Sequence, residues 1–129
     1  MRSRAAWAAA LCLAAACFSD RVRLDVPDIS IELAAVNLAP GATLEGQVLA
    51  RDGSGVVQIG VRVTAGDSVL RQQRTGFRES SVAMAFSFVL PVTLADGDEV
   101  EVLGWARDEQ GFAVEAVDTV RIMASPIRQ

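Results

Sequence analysis

The chain has 129 residues, of which 51% are hydrophobic, and its twelve basic residues are all arginine against sixteen acidic ones. This length favours one domain, and the net charge of −4 disfavours nucleic acid as a partner, because phosphate backbones are bound by clustered basic residues. The absence of histidine and lysine excludes Ser-His and Cys-His nucleophile pairs, Schiff bases and P-loops, so we expect no enzyme.

The first sixteen residues have the pattern of a secretory signal peptide. Arg2 and Arg4 precede an apolar run over residues 5–16, which is too short for a bilayer-spanning helix of about 20 residues. The segment Leu13-Ala14-Ala15-Ala16-Cys17 resembles the bacterial lipobox. The resemblance implies cleavage before Cys17 and acylation of that cysteine, whereas an ordinary cleavage without a lipid is the alternative.

These features predict an exported protein that is anchored by its lipid to a membrane of the bacterial envelope. Phe18 and Ser19 follow the cysteine, and the lack of an aspartate there implies the outer membrane if the organism is Gram-negative. Cys12 would be removed with the leader, so no thiol pair would remain for a disulfide. The polar residues up to 28 are expected to form a tether.

Alternation with a period of two predicts about seven strands, and no segment has the spacing of an amphipathic helix. Turn residues recur every 8–12 residues, which is typical of an antiparallel β-sandwich. In the third strand we expect Val57, Ile59, Val61 and Val63 to face the core. The predicted strands span residues 29–35, 43–50, 57–64, 68–74, 82–90, 100–106 and 114–122.

One short pattern, Ala-Arg-Asp with a Gly three residues after the aspartate, occurs at 50–55 and again at 106–111. In each copy we expect the aspartate to cap the turn and the glycine to take a positive φ. These two segments, with the alternating residues beside them, resemble the strands and turns of bacterial Ig-like domains of the Big and cadherin-like kind. Phe112 stands where those families often have Asn. The resemblance covers about residues 27–123 and implies a single antiparallel Ig-like β-sandwich.

The acidic loops are the candidate metal sites. Asp52 and Asp108 end strands that are neighbours in an Ig-like order, and with Glu109 they are candidate ligands for Ca²⁺. A calcium-dependent carbohydrate-binding module or a carboxylate-dependent enzyme would use them; alternatively, the two aspartates only cap their turns. The acidic turn Asp96-Gly97-Asp98-Glu99 is expected at the opposite end, either as a further calcium ligand or as a solvated turn.

Leu103 and Trp105 form the candidate contact patch. They are out of phase with the inward-facing residues of their strand, so we expect them on the outer face of the sheet, where an exposed aromatic can mark an interaction surface. Alternatively, a neighbouring strand or the N-terminal segment covers them. A separate basic stretch is expected to form a solvated strand edge that resists pairing with another strand; it consists of Arg71, Arg74 and Arg78 with Phe77.

The sequence therefore predicts a non-enzymatic envelope lipoprotein without a cofactor, calcium being the one open option. Its sandwich is expected to serve as a binding or structural module for an envelope protein or a glycan. The predicted organisation is a signal peptide (1–16), a lipidated cysteine and tether (17–28), an Ig-like sandwich (29–123) and a C-terminal tail (124–129).

We predict that the protein isolated from its host's membranes begins at Cys17 and carries added acyl mass, because the lipobox directs both events. Intact-mass spectrometry of the membrane fraction checks this. An unmodified chain recovered from the soluble fraction would contradict the lipid anchor.

Overall fold

The computed structural model describes residues 26–124. The predicted signal peptide, Cys17 with its predicted acylation, most of the predicted tether, and residues 125–129 of the tail lie outside the described residues. The described chain consists of strands and their connections: β1 (Asp28–Leu33), β2 (Asn37–Leu38), β3 (Thr43–Ala65), β4 (Ser68–Val89), β5 (Glu99–Asp108) and β6 (Ala113–Ile122). The predicted all-β class is confirmed. Within this part of the chain no helix has the length and hydropathy to span a bilayer.

Strands β3 and β4 are unusually long because each runs through both layers of the fold. They form an antiparallel hairpin of 23 and 22 residues, and their pairing is interrupted between Arg51 and Val56. Before the interruption β3 also pairs with β1, and after it β3 pairs with β5. Two predicted pairs of strands are thus merged into β3 and β4, and the short β2 lies where a turn was expected, so there are six strands where about seven were predicted.

A single hydrogen-bonded sheet consequently curls over itself into two layers. The first layer contains β1, residues 43–51 of β3 and residues 81–89 of β4. The second contains residues 68–79 of β4, residues 56–65 of β3, β5, β6 and β2. All neighbouring strands are antiparallel except β2 and β6, which are parallel, so the sheet is mixed where the sequence predicted a purely antiparallel one.

The core lies between the two layers and is almost wholly aliphatic, as expected from a sequence with few aromatics. A methyl group added at Gly104 of β5 would lie 3.2 Å from Val48 Cγ1 and 3.3 Å from Ile31 Cγ1, both in the first layer. The glycine therefore lets the two layers approach closely at this point. The larger apolar side chains with less than 2% exposure are Leu44, Val48, Val56, Ile59, Val61, Val63, Leu90, Val100, Val102, Val120 and Ile122.

A β-bulge at Val57 changes which residues of β3 face the core. Val56 pairs with Asp108 of β5 but Gln58 pairs with Arg107, so β3 has one extra residue at this point. Val56 is fully buried and Val57 is not. The prediction that Val57 faces the core is wrong, because the extra residue shifts the alternation that the sequence pattern assumes to be continuous.

Candidate functional site

The two Asp-x-x-Gly turns form one end of the sandwich, and both aspartates are buried there. Asp52 Oδ1 accepts hydrogen bonds from the backbone N–H and the hydroxyl of Ser54, at 2.8 and 2.9 Å. Asp108 Oδ1 accepts one from the backbone N–H of Phe112 at 2.8 Å. The glycine three residues after each aspartate has a positive φ, +110° at Gly55 and +97° at Gly111. Each aspartate thus caps its own turn, which is the role that the repeated pattern predicts.

The two turns also contact each other directly. The backbone N–H of Glu109 donates to the carbonyl oxygen of Gly55 at 2.9 Å. Arg78 of β4 binds the Glu109 carboxylate at 2.9 Å and donates from Nε to the carbonyl oxygen of Ser54 at 3.4 Å. Because Glu109 is already engaged by Arg78, it does not join the two aspartates in one group of carboxylates.

Each aspartate keeps one carboxylate oxygen, Oδ2, that is buried and has no hydrogen-bond partner. The side chains are 6% exposed at Asp52 and 1% exposed at Asp108. Buried polar atoms in folded proteins normally have a partner, so these two oxygens are where a cation or an ordered water would bind. Within residues 26–124, no group of three or more His, Cys, Asp or Glu is arranged to hold a metal ion.

The second acidic turn lies at the other end of the sandwich, where its carboxylates hold the chain in place. Asp98 Oδ2 accepts a hydrogen bond from the backbone N–H of Ala95 at 2.8 Å, and Asp96 Oδ1 accepts one from Ala124 at 3.0 Å. The backbone of Asp98 also accepts from Ile122 at 2.8 Å. These contacts give the turn a structural role in fastening β6.

The candidate contact patch lies on the outer face of the second layer. There the register places side chains of four strands in rows, and a shallow groove of about 250 Å³ runs between them. We call this surface the Trp105 face. From β4 through β3 and β5 to β6, its rows are Thr75, Gln58, Arg107 and Ala113; Gln73, Gly60, Trp105 and Glu115; Arg71, Arg62, Leu103 and Val117.

Trp105 lies across its neighbour Gly60. A methyl group added at Gly60 would overlap Cζ2, Cε2 and Cη2 of the indole, so the six-membered part of the ring occupies the space that any other residue's side chain would need. The ring is therefore held against the sheet and is partly exposed at the surface of the groove. Leu103 is only 9% exposed and supports the floor of the groove rather than its surface.

Three arginines, at positions 62, 71 and 107, line this groove with one carboxylate, Glu115. Within residues 26–124 the ion pairs join Arg74 with Glu79, Arg78 with Glu109, and Arg121 with Glu99. None of the three groove arginines takes part in them. The groove is thus a locally positive surface on an acidic domain, which has seven arginines and fourteen acidic residues in this part of the chain.

A second depression, of about 450 Å³, lies on the outer face of the first layer. It is larger, but its lining residues include Ser30, Ser81 and Ala83, and it has no aromatic ring. Its single arginine, Arg51, lies opposite Asp28 in the register. We therefore take the Trp105 face as the better candidate for binding.

Sequence reasoning found Trp105 but missed the residues around it. The alternation that directs Ile59, Val61 and Val63 to the core also directs Gly60 and Arg62 outward, yet nothing local in the sequence indicates that they lie beside Trp105 and Arg71. A glycine in the middle of a strand is a known sign that another group approaches the backbone closely. That signal at Gly60 was the one available clue.

No family model matches the sequence, and no curated protein matches it either. Among solved structures, the chain is similar to Spo0M, a sporulation control protein from Bacillus subtilis, with 20% identity and a TM-score of 0.54 over 80% of this chain. The match covers 51% of that protein, so this chain spans about half its length.

A second similar structure is the PKD domain of an M14-like peptidase from Thermoplasmatales archaeon SCGC AB-540-F20. It shows 18% identity and a TM-score of 0.52 over 78% of this chain and 94% of that one. Identities this low show the fold alone. Because a PKD domain is Ig-like, this likeness confirms the predicted Ig-like β-sandwich.

We predict that Asp108→Ala lowers the free energy of unfolding by about 1–3 kcal/mol, because the partly buried N–H of Phe112 loses its acceptor. Asp108→Asn keeps the Oδ1 acceptor and is expected to lower the free energy of unfolding by less. Urea denaturation of the two variants and the unchanged protein measures the difference. If the two variants lost the same free energy of unfolding, the hydrogen bond from Phe112 to Asp108 would not contribute to stability.

Proposed function

We propose that this protein is a non-enzymatic binding module, held by a lipid on Cys17 at a membrane of the bacterial envelope, and that its Trp105 face binds a glycan. The observation that carries the proposal is the indole of Trp105 lying across Gly60 in an open groove. An aromatic ring held against a sheet offers a flat apolar surface at little entropic cost, and such rings dominate the binding energy of recognition sites.

The groove's composition supports a glycan as the partner. Beside the ring stand Gln58, whose amide donates and accepts hydrogen bonds, Glu115, whose carboxylate accepts them, and the arginines, which donate them. A sugar ring has apolar faces and a rim of hydroxyls, so it matches one ring surrounded by polar groups. The groove's volume is below the ~300 Å³ of a typical small-molecule pocket, which suits one sugar unit of a longer chain.

The predicted anchor supports a place in the envelope. Acylated Cys17 would leave about ten residues before β1, and such a tether would hold the domain close to the membrane surface. From this position, the Trp105 face would meet glycans of the envelope. The membrane is the outer one if the organism is Gram-negative.

Trp105 also provides the readout for a binding test, because it is the only tryptophan after residue 16. We expect a soluble polysaccharide from a panel of dextran, xylan and polygalacturonate to change the indole fluorescence and to retard the protein in affinity gels. Trp105→Ala should weaken this retardation at least tenfold, since buried aromatic anchors contribute more than about 1.4 kcal/mol.

Two further variants make that result specific. Leu49→Ala removes an apolar side chain from the outer face of the first layer and should leave binding unchanged. Trp105→Phe keeps a ring and should retain part of the affinity, which separates stacking from misfolding. Binding that Trp105→Ala does not weaken, or a protein partner captured on this face in place of any polysaccharide, would overturn the glycan proposal.

A second candidate function is calcium-dependent binding through the loop end, because the unpartnered Oδ2 atoms of Asp52 and Asp108 are both buried there. Calcium takes several oxygen ligands at flexible geometry, and backbone carbonyls and water would have to complete this pair. A carboxylate-dependent enzyme at the same loops would need a substrate cleft beside these atoms, and the four cavities described around residues 28–115 are not lined by either aspartate.

The calcium candidate predicts that millimolar Ca²⁺ raises the melting temperature, because a ligand of the folded state stabilises it by mass action. Asp108→Asn should remove the rise while keeping the turn cap. Differential scanning calorimetry with Ca²⁺, and with a chelator, measures both. An unchanged melting temperature for the unaltered protein would eliminate this candidate.

A further inference from the structure

We infer that the glycan bound by the Trp105 face is an acidic one, whose anionic substituent is held by Arg62 and Arg71 while its sugar ring stacks on Trp105. This inference rests on the proposed function and specifies the ligand class. Arg62 and Arg71 lie directly opposite each other on β3 and β4, and Arg62 is also the cross-strand neighbour of Leu103 on β5. The row of the two arginines is therefore adjacent to the row of Trp105.

The charge distribution points to an anion. Residues 26–124 contain seven arginines, and the three that line the groove form no ion pair. Of the other four, three do form ion pairs. The groove arginines are therefore unpaired although this part of the chain has twice as many acidic residues as arginines. A guanidinium offers several N–H donors in a planar fork that matches a carboxylate or phosphate. Glu115 lies on the opposite side of Trp105 from Gly60, on β6, and so is two strands away from Arg62 and three from Arg71.

The pairing of Arg62 with Arg71 is itself unfavourable to folding. Like charges directly opposite each other on neighbouring strands destabilise a sheet, and no carboxylate of the described chain lies within ion-pair distance of either. A bound anion between the two guanidiniums would remove this repulsion. Residues that cost stability in the free protein are typical of binding sites.

The size of the face favours a glycan over a protein. Three strand spacings of about 4.8 Å and four residue rises of about 3.3 Å give roughly 190 Å² for the described rows. A standard protein interface buries about 800 Å² on each partner. One acidic sugar and its neighbours along a polysaccharide would fit within this area and would need no contact with other parts of the domain.

The experiment compares polygalacturonate with its methyl ester, which has the same backbone without the charge. Affinity gels and Trp105 fluorescence are recorded on the full-length protein in a chelator, so that calcium cannot bridge carboxylates. We expect polygalacturonate to bind at least tenfold more tightly than the ester. Arg62→Gln combined with Arg71→Gln should abolish that preference and leave the melting temperature unchanged or raised.

Arg51→Gln is the matched control, because Arg51 is exposed, is in no ion pair of the described chain and lies on the outer face of the first layer. It removes one positive charge and should not alter the preference. If Arg51→Gln reduced the preference for polygalacturonate as much as the double variant does, binding would reflect net charge alone and the inference would be overturned.

The remaining outcomes separate this inference from the proposed function. If the methyl ester binds as tightly as polygalacturonate and Trp105→Ala abolishes the binding of both, the face binds glycans but not through an anion. In that case the inference fails and the proposed function stands. If no polysaccharide binds, both fail. Arginine-dependent binding to polyglutamate or to phosphatidylglycerol vesicles, without binding to polygalacturonate, would also overturn both and assign the face to an acidic protein or a lipid surface.

Discussion

The bend of β3 between Arg51 and Val56 is the feature on which the other parts of the structure depend. At this point one strand leaves the first layer and enters the second, and it pairs with β4 on both sides of the interruption. The bend is held by the hydrogen bonds from Ser54 to Asp52 and by the positive φ of Gly55. The turn after β5 has the same capping design and donates a hydrogen bond from Glu109 to Gly55, so the two turns fix this end of the sandwich together.

The bend also determines the composition of the Trp105 face. The bulge at Val57 reverses the alternation of β3, which directs Gln58, Gly60 and Arg62 outward. Gly60 then lies opposite Trp105, and the indole can lie across the sheet because no Cβ is there. The structural end of the domain and its proposed binding surface are therefore linked through a single extra residue in β3.

The local patterns of the sequence predicted the strands, their buried faces and the two capped turns, because alternation and Asp-x-x-Gly turns depend on neighbouring residues. The pattern could not predict the bulge, since two adjacent valines, at 56 and 57, satisfy either alternation. It also could not place Arg62 opposite Arg71 or Arg78 against Glu109, because cross-strand neighbours depend on register between distant segments. The Trp105 face is made of such neighbours, so sequence reasoning found its aromatic residue and missed its charges.

The two long strands have a consequence for how the domain comes apart. Since β3 and β4 belong to both layers, neither layer contains a set of strands that could remain folded after the other has opened. Partial opening would break the hairpin that both layers share, so the described domain behaves as one cooperative unit instead of two smaller ones. A protease would accordingly encounter either the whole sandwich or a fully opened chain, and its cleavage rate would follow the global stability of the fold.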